Sequence, residues 1–122
     1  MGAIAVITTV GTEREANDLA EELLERRLAA CVNIISGVRS IYRWKGRICK
    51  DSEYLLVIKT MEEEFAEVAA TIQELHSYEL PEVLALPFRH GDDAFLGWIS
   101  ECVDKNVGPD DFDELESGDR PL

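Results

Sequence analysis

Basic residues are scarce in this sequence. Twelve Lys and Arg stand against 25 Asp and Glu in 122 residues, a formal net charge of −13. A surface of that sign repels phosphates, so nucleic acid is not expected as a partner. Of the bases, four are Lys and eight are Arg. Acid excess with little lysine is the pattern of proteins adapted to high salt, and a halophilic protein is expected. No apolar run approaches the ~20 residues of a membrane span, so no membrane partner is expected. The opening MGAIAVITTV has no basic region and no cleavage site. It reads as a strand, and a cytoplasmic protein is expected. Cysteine is sparse too: Cys31, Cys49 and Cys102, an odd count with no CxxC pair. They read as reduced thiols, and Cys31, behind two alanines, is expected to be buried. A G-x-x-x-x-G-K-[ST] loop, an HExxH pair and a supported Ser-His-Asp set are all absent, so no enzyme is expected.

What is present is a regular alternation of patterns. AIAVITTV is a β-branched apolar run, expected to form a buried strand. Thr12 and Glu15 have the spacing of a capping box, and Ala16, Leu19, Ala20, Leu23, Leu24 and Leu28 follow at helical spacing. A helix over 13–29 is expected. Residues 30–60 form one long β stretch broken at Lys45-Gly46, where glycine permits a tight hairpin turn. Thr60 and Glu63 suggest a second capping box before a helix whose stripe is Phe65, Val68, Ala69, Ile72 and Leu75. PEVLALPF reads as a fourth strand, and a third helix opens at Gly91-Asp92. The order β-α-β-β-α-β plus a C-terminal helix predicts an α+β, ferredoxin-like subunit over 1–104, followed by an acidic tail over 105–122. The hairpin arms, about 14 residues each, reach near 45 Å at ~3.3 Å per residue. The helices span only about 25 Å at ~1.5 Å per residue. Ile41, Tyr42, Trp44 and Ile48 are left uncovered at the far end, which predicts oligomerisation.

The ordered set LAACVN at 28–33, SIYRWKGRI at 40–48, EYLLVIKT at 53–60, HSYELPE at 76–82 and GWI at 97–99 resembles the CutA divalent-cation tolerance family. The resemblance runs from residue 4 to about 103. It implies a ferredoxin-like subunit in a homotrimer bridged by long hairpins. It also implies cytoplasmic binding of copper and other divalent cations, and a role in metal tolerance. Two departures stand out. The family's usual HPYE is HSYE here, with Ser77 in place of proline. Some members carry a copper-binding cysteine at the end of the first strand, where this chain has Thr8 and Thr9.

His76 and Glu79 are the metal candidates. Pro81 ends the helix near His76, so the imidazole serves either as a helix C-cap or, with Glu79, as a weak site for Cu²⁺ or a similar ion. Tyr78 and Glu79 are alternatively expected to line a pocket between subunits. Glu53 and Lys59 lie at even separation on one strand face, and with Tyr42 and Trp44 they are expected to form a pocket wall. Trp98 on the third helix joins that interface or pocket set. His90 precedes Asp92 and Asp93, a pair expected to cap the third helix rather than bind metal. The alternative function is a small-molecule-sensing trimer like the PII-type nitrogen regulators, favoured only by the bases Arg39, Arg43, Lys45 and Arg47 near the hairpin turn.

Overall fold

β-branched residues open the chain as expected, and β1 spans Ala3–Val10 of a computed structural model that describes residues 2–107. Most of the acidic tail expected from residue 105 lies outside the described residues. Helix α1 covers Glu13–Glu25. Thr12 caps it by accepting the Glu15 N–H at 3.1 Å. The reciprocal half of the box is missing, because the Glu15 carboxylate instead takes the N–H of Ser77 at 2.9 Å and its hydroxyl at 3.0 Å. The helix ends four residues before the expected 29. Arg27 turns left-handed at φ 56, its N–H meets the Leu24 carbonyl, and the Leu28 N–H meets that of Leu23. This is a Schellman closure, with arginine where glycine is usual.

Strands β2 (Cys31–Trp44) and β3 (Arg47–Met61) form the long hairpin. Lys45 and Gly46 both have positive φ, 48 and 80, as a two-residue primed turn requires. A bulge between Ile35 and Val38 carries Gly37 at φ 75. Thr60 does not cap the second helix. The strand runs past it, and its hydroxyl donates to the Leu28 carbonyl at 2.6 Å in the buried interior. A 3-10 turn over Glu62–Glu64 leads into α2 (Phe65–Leu75) instead. The fourth strand shortens to β4 (Leu84–Pro87), and α3 spans Asp93–Val103. Asp92 caps α3 by accepting the Phe95 N–H at 3.0 Å.

The sheet order is β2-β3-β1-β4, with every pair antiparallel, the ferredoxin-like arrangement. One face packs on α1 and α2: Val6, Val10, Leu56 and Ile58 meet Leu19, Leu23, Val68 and Ile72. α3 lies on the reverse face, where Lys59 sits over the Phe95 ring. Cys31, expected to be buried, is half-buried instead, because it begins the edge strand β2. Both edge strands carry exposed apolar residues: Ile34, Ile35 and Ile41 on β2, Leu84 and Leu86 on β4.

Candidate functional site

The turn after α2 is built around His76. Its backbone is extended, ψ 140, and its N–H closes the helix on the Ile72 carbonyl. The imidazole is wholly buried. Its Nδ1 faces the Tyr78 N–H at 3.0 Å, and its Nε2 faces the Thr9 carbonyl at 2.7 Å. A backbone N–H can only donate and a carbonyl can only accept. Nδ1 therefore carries the lone pair and Nε2 the proton. Both nitrogens are engaged in the neutral ring, which ties the end of α2 to the end of β1. The Glu15 carboxylate stands 3.6 Å from Nδ1. Glu79 is exposed and directly follows Tyr78, whose N–H occupies Nδ1. A metal at this corner must take Nδ1 from the Tyr78 N–H. Among the described residues no three His, Cys, Asp or Glu side chains converge on a single point as metal ligands.

The Tyr78 ring packs against the imidazole, ring centres 4.6 Å apart, and carries its hydroxyl on into a second place. Its hydroxyl donates to Glu53 Oε2 at 2.8 Å. It also passes so close to Gly11 that a Cβ there would meet the phenol oxygen at 3.3 Å. Glu53 is buried, at 6% exposure. Two residues earlier on the same strand face, Asp51 accepts the Tyr42 hydroxyl. A cleft of about 560 Å³ lies between the hairpin and the 78–82 turn, lined by Tyr42, Trp44, Asp51, Glu53, Tyr78 and Glu82 among others. Both phenols are pushed up from the ordinary tyrosine value. The hydrogen bond to Asp51 pushes Tyr42 up to about 12. Burial first, then the bond to Glu53, pushes Tyr78 well above the ordinary tyrosine value.

The cleft therefore brings together Tyr42, Trp44, Glu53 and Tyr78. Lys59 shares the strand face of Glu53 but stands about 20 Å along it at ~3.3 Å per residue, with its ammonium 5.6 Å from the centre of the Phe95 ring. Trp98 is half-buried on α3 beside Phe95, ring centres 5.5 Å apart. Neither lines the cleft. Asp51, Glu82 and Glu15 are functional candidates that the sequence reading lacked. Asp51 was within reach of the period-two rule that paired Glu53 with Lys59. Glu15 had no such signal, being 62 residues from Ser77. Of the two threonines at the end of β1, Thr9 lines the cleft and Thr8 faces the core. Arg39, Arg43, Lys45 and Arg47 are on the hairpin but not in the cleft lining, which holds three acids and no base.

The family model described as CutA1 divalent ion tolerance protein matches residues 4–102. The chain is 44% identical over 96 residues to the divalent-cation tolerance protein CutA of Thermus thermophilus, covering 79% of this chain and 93% of that one. It is 39% identical over 100 residues to the Protein CutA of Homo sapiens, covering 82% of this chain but only 56% of that one. Among solved structures, that of the periplasmic divalent cation tolerance protein CutA from Archaeoglobus fulgidus superposes with a TM-score of 0.82 at 38% identity. That match covers 84% of this chain and 99% of the other.

Proposed function

The chain belongs to the CutA1 divalent ion tolerance family, and on that premise we propose that it is a non-catalytic homotrimer that binds divalent cations, Cu²⁺ foremost, in metal tolerance. The observation that carries the assembly is the pair of unlike apolar edges on β2 and β4. Unlike edges favour a heterologous contact, which closes as a ring, over the self-complementary contact of a twofold dimer. Three free thiols suit the reducing cytoplasm. The proposed cation site is the corner of His76 and Glu79, with Glu15 near Nδ1. Its ligands are imidazole nitrogen and carboxylate oxygen without thiolate, a set that suits Cu²⁺ and places it above Zn²⁺. Taking Nδ1 from the Tyr78 N–H costs about 1 kcal/mol, which keeps binding weak. The hairpin bases stay outside the cleft, so no observation favours the nitrogen-regulator alternative.

Calorimetry with Cu²⁺ tests this reading, with light scattering on the same samples. The expected mass is about three times 13.7 kDa. Glu79 is exposed, so Glu79→Ala should leave the mass unchanged and weaken Cu²⁺ binding about tenfold, or about 1.4 kcal/mol. Equal affinity in the variant rejects the corner, and a monomer mass rejects the ring.

A further inference from the structure

We propose that Tyr78 sets how tightly the His76 corner holds its cation, through the hydrogen bond that its hydroxyl gives to Glu53. The inference rests on the metal reading above and names the residue that opposes binding there. Tyr78 is fixed at three points. Its N–H donates to His76 Nδ1 at 3.0 Å, its ring packs on the imidazole with centres 4.6 Å apart, and its hydroxyl donates to Glu53 Oε2 at 2.8 Å. The far end is the firm one. Glu53 is buried on β3, and Gly11 leaves the phenol oxygen its room, since a Cβ there would stand 3.3 Å away. A hydrogen bond to an ionised acceptor is also about twice as strong as a neutral one.

The near end is the one a cation disturbs. The neutral imidazole aims its Nδ1 lone pair at the Tyr78 N–H. Metal–imidazole bonds are about 2 Å long. An ion on that lone pair would lie between Nδ1 and the Tyr78 nitrogen, where 3.0 Å leaves no room for it. The Tyr78 backbone must withdraw from the imidazole. Withdrawal pulls on a side chain whose hydroxyl is held by Glu53, 25 residues away in sequence. The two ends of Tyr78 therefore resist the cation together, and the Glu53 bond adds to the cost of freeing Nδ1. By linkage, a change that weakens the Glu53 bond must tighten the cation. The corner itself adjoins a groove formed by the start of α1 and the end of α2, not by the β2 and β4 edges. Glu15 lines that groove and stands 3.6 Å from Nδ1.

Calorimetry of the full-length protein with Cu²⁺ tests the proposal. Tyr78→Phe keeps the N–H and the ring and loses only the hydroxyl. It should bind Cu²⁺ about tenfold tighter than the wild type, or about 1.4 kcal/mol. Glu53→Gln keeps an acceptor but makes it neutral, so affinity should rise by less. It decides the matter should Tyr78→Phe misfold. The sign is diagnostic, because taking an acid from a chain of net charge −13 would weaken a merely diffuse attraction for cations. Cu²⁺ should also shift the near-ultraviolet tyrosine absorbance of the wild type, as the phenol exchanges a buried carboxylate for water. That shift should be missing in Tyr78→Phe. Equal or weaker Cu²⁺ affinity in the variants overturns the proposal and leaves the metal reading standing. Absence of Cu²⁺ binding by the wild type overturns both.

Discussion

Thr8 and Thr60 occupy equivalent surroundings with opposite consequences. Both are fully buried on the helix-facing side of neighbouring strands. The Thr60 hydroxyl donates to the Leu28 carbonyl, whereas Thr8 Oγ1 has no hydrogen-bond partner among the described residues. An unsatisfied buried hydroxyl costs about 1–3 kcal/mol, while a satisfied one contributes about 1 kcal/mol. Valine has the same shape and an equal liking for strands. Thr8→Val should therefore stabilise the protein by about 1 kcal/mol, and Thr60→Val should destabilise it by at least as much. Urea unfolding of both variants checks the pair. Two shifts of the same sign would mean that the hydroxyls do not decide the matter. The period-two pattern put both residues on one face, but a partner 32 residues away in sequence was beyond its reach. The same holds at His76, whose place at the end of α2 follows from Pro81. Its two hydrogen bonds come from Thr9, 67 residues away, and from a turn whose path no local pattern fixes.

Among the elements, the strands and the first cap were the most legible. Thr12, the Lys45-Gly46 turn and the Asp92 cap are local devices, complete within four residues, and each forms as its spacing predicts. The end of α1 was illegible because an arginine occupies the left-handed position, where glycine would have marked the stop. The second capping box failed because Thr60 has a better partner inside the core. The Glu15 carboxylate failed to close its own box for a related reason: Ser77 offers it two donors at once. That contact pins the start of α1 to the turn after α2, and only a residue with both an N–H and a hydroxyl can make it. Ser77→Ala leaves one of the two donors and should cost about 0.5–1.5 kcal/mol. Glu15→Ala removes the acceptor for both and should cost more. If chemical denaturation gives the reverse order, the contact does not hold the two helices together.

At the scale of the whole molecule, charge is the dominant imbalance. The surface ion pairs are few among the described residues, and the pairs Arg14–Asp18, Arg26–Glu22 and Arg26–Glu74 are at least a third exposed. Exposed pairs contribute about 0–1 kcal/mol each, so screening them takes little away. The net charge of −13 works in the opposite direction. Its self-repulsion opposes the compact state and would grow if several copies assemble through the apolar edges. Salt shortens the Debye length from about 10 Å at 0.1 M to about 3 Å at 1 M. At 10 Å, neighbouring acids still repel across the surface; at 3 Å, only touching charges interact. Relief of repulsion should therefore outweigh loss of the pairs over this whole interval. Stability should rise by at least about 1 kcal/mol between 0.1 and 1 M KCl, which is roughly 4 °C or more in Tm for a domain near 100 residues. Thermal unfolding across a KCl series at constant protein concentration measures it. A Tm that is flat or falling over that interval would show that the acid excess is compensated locally, and the halophilic reading of the sequence would fall with it.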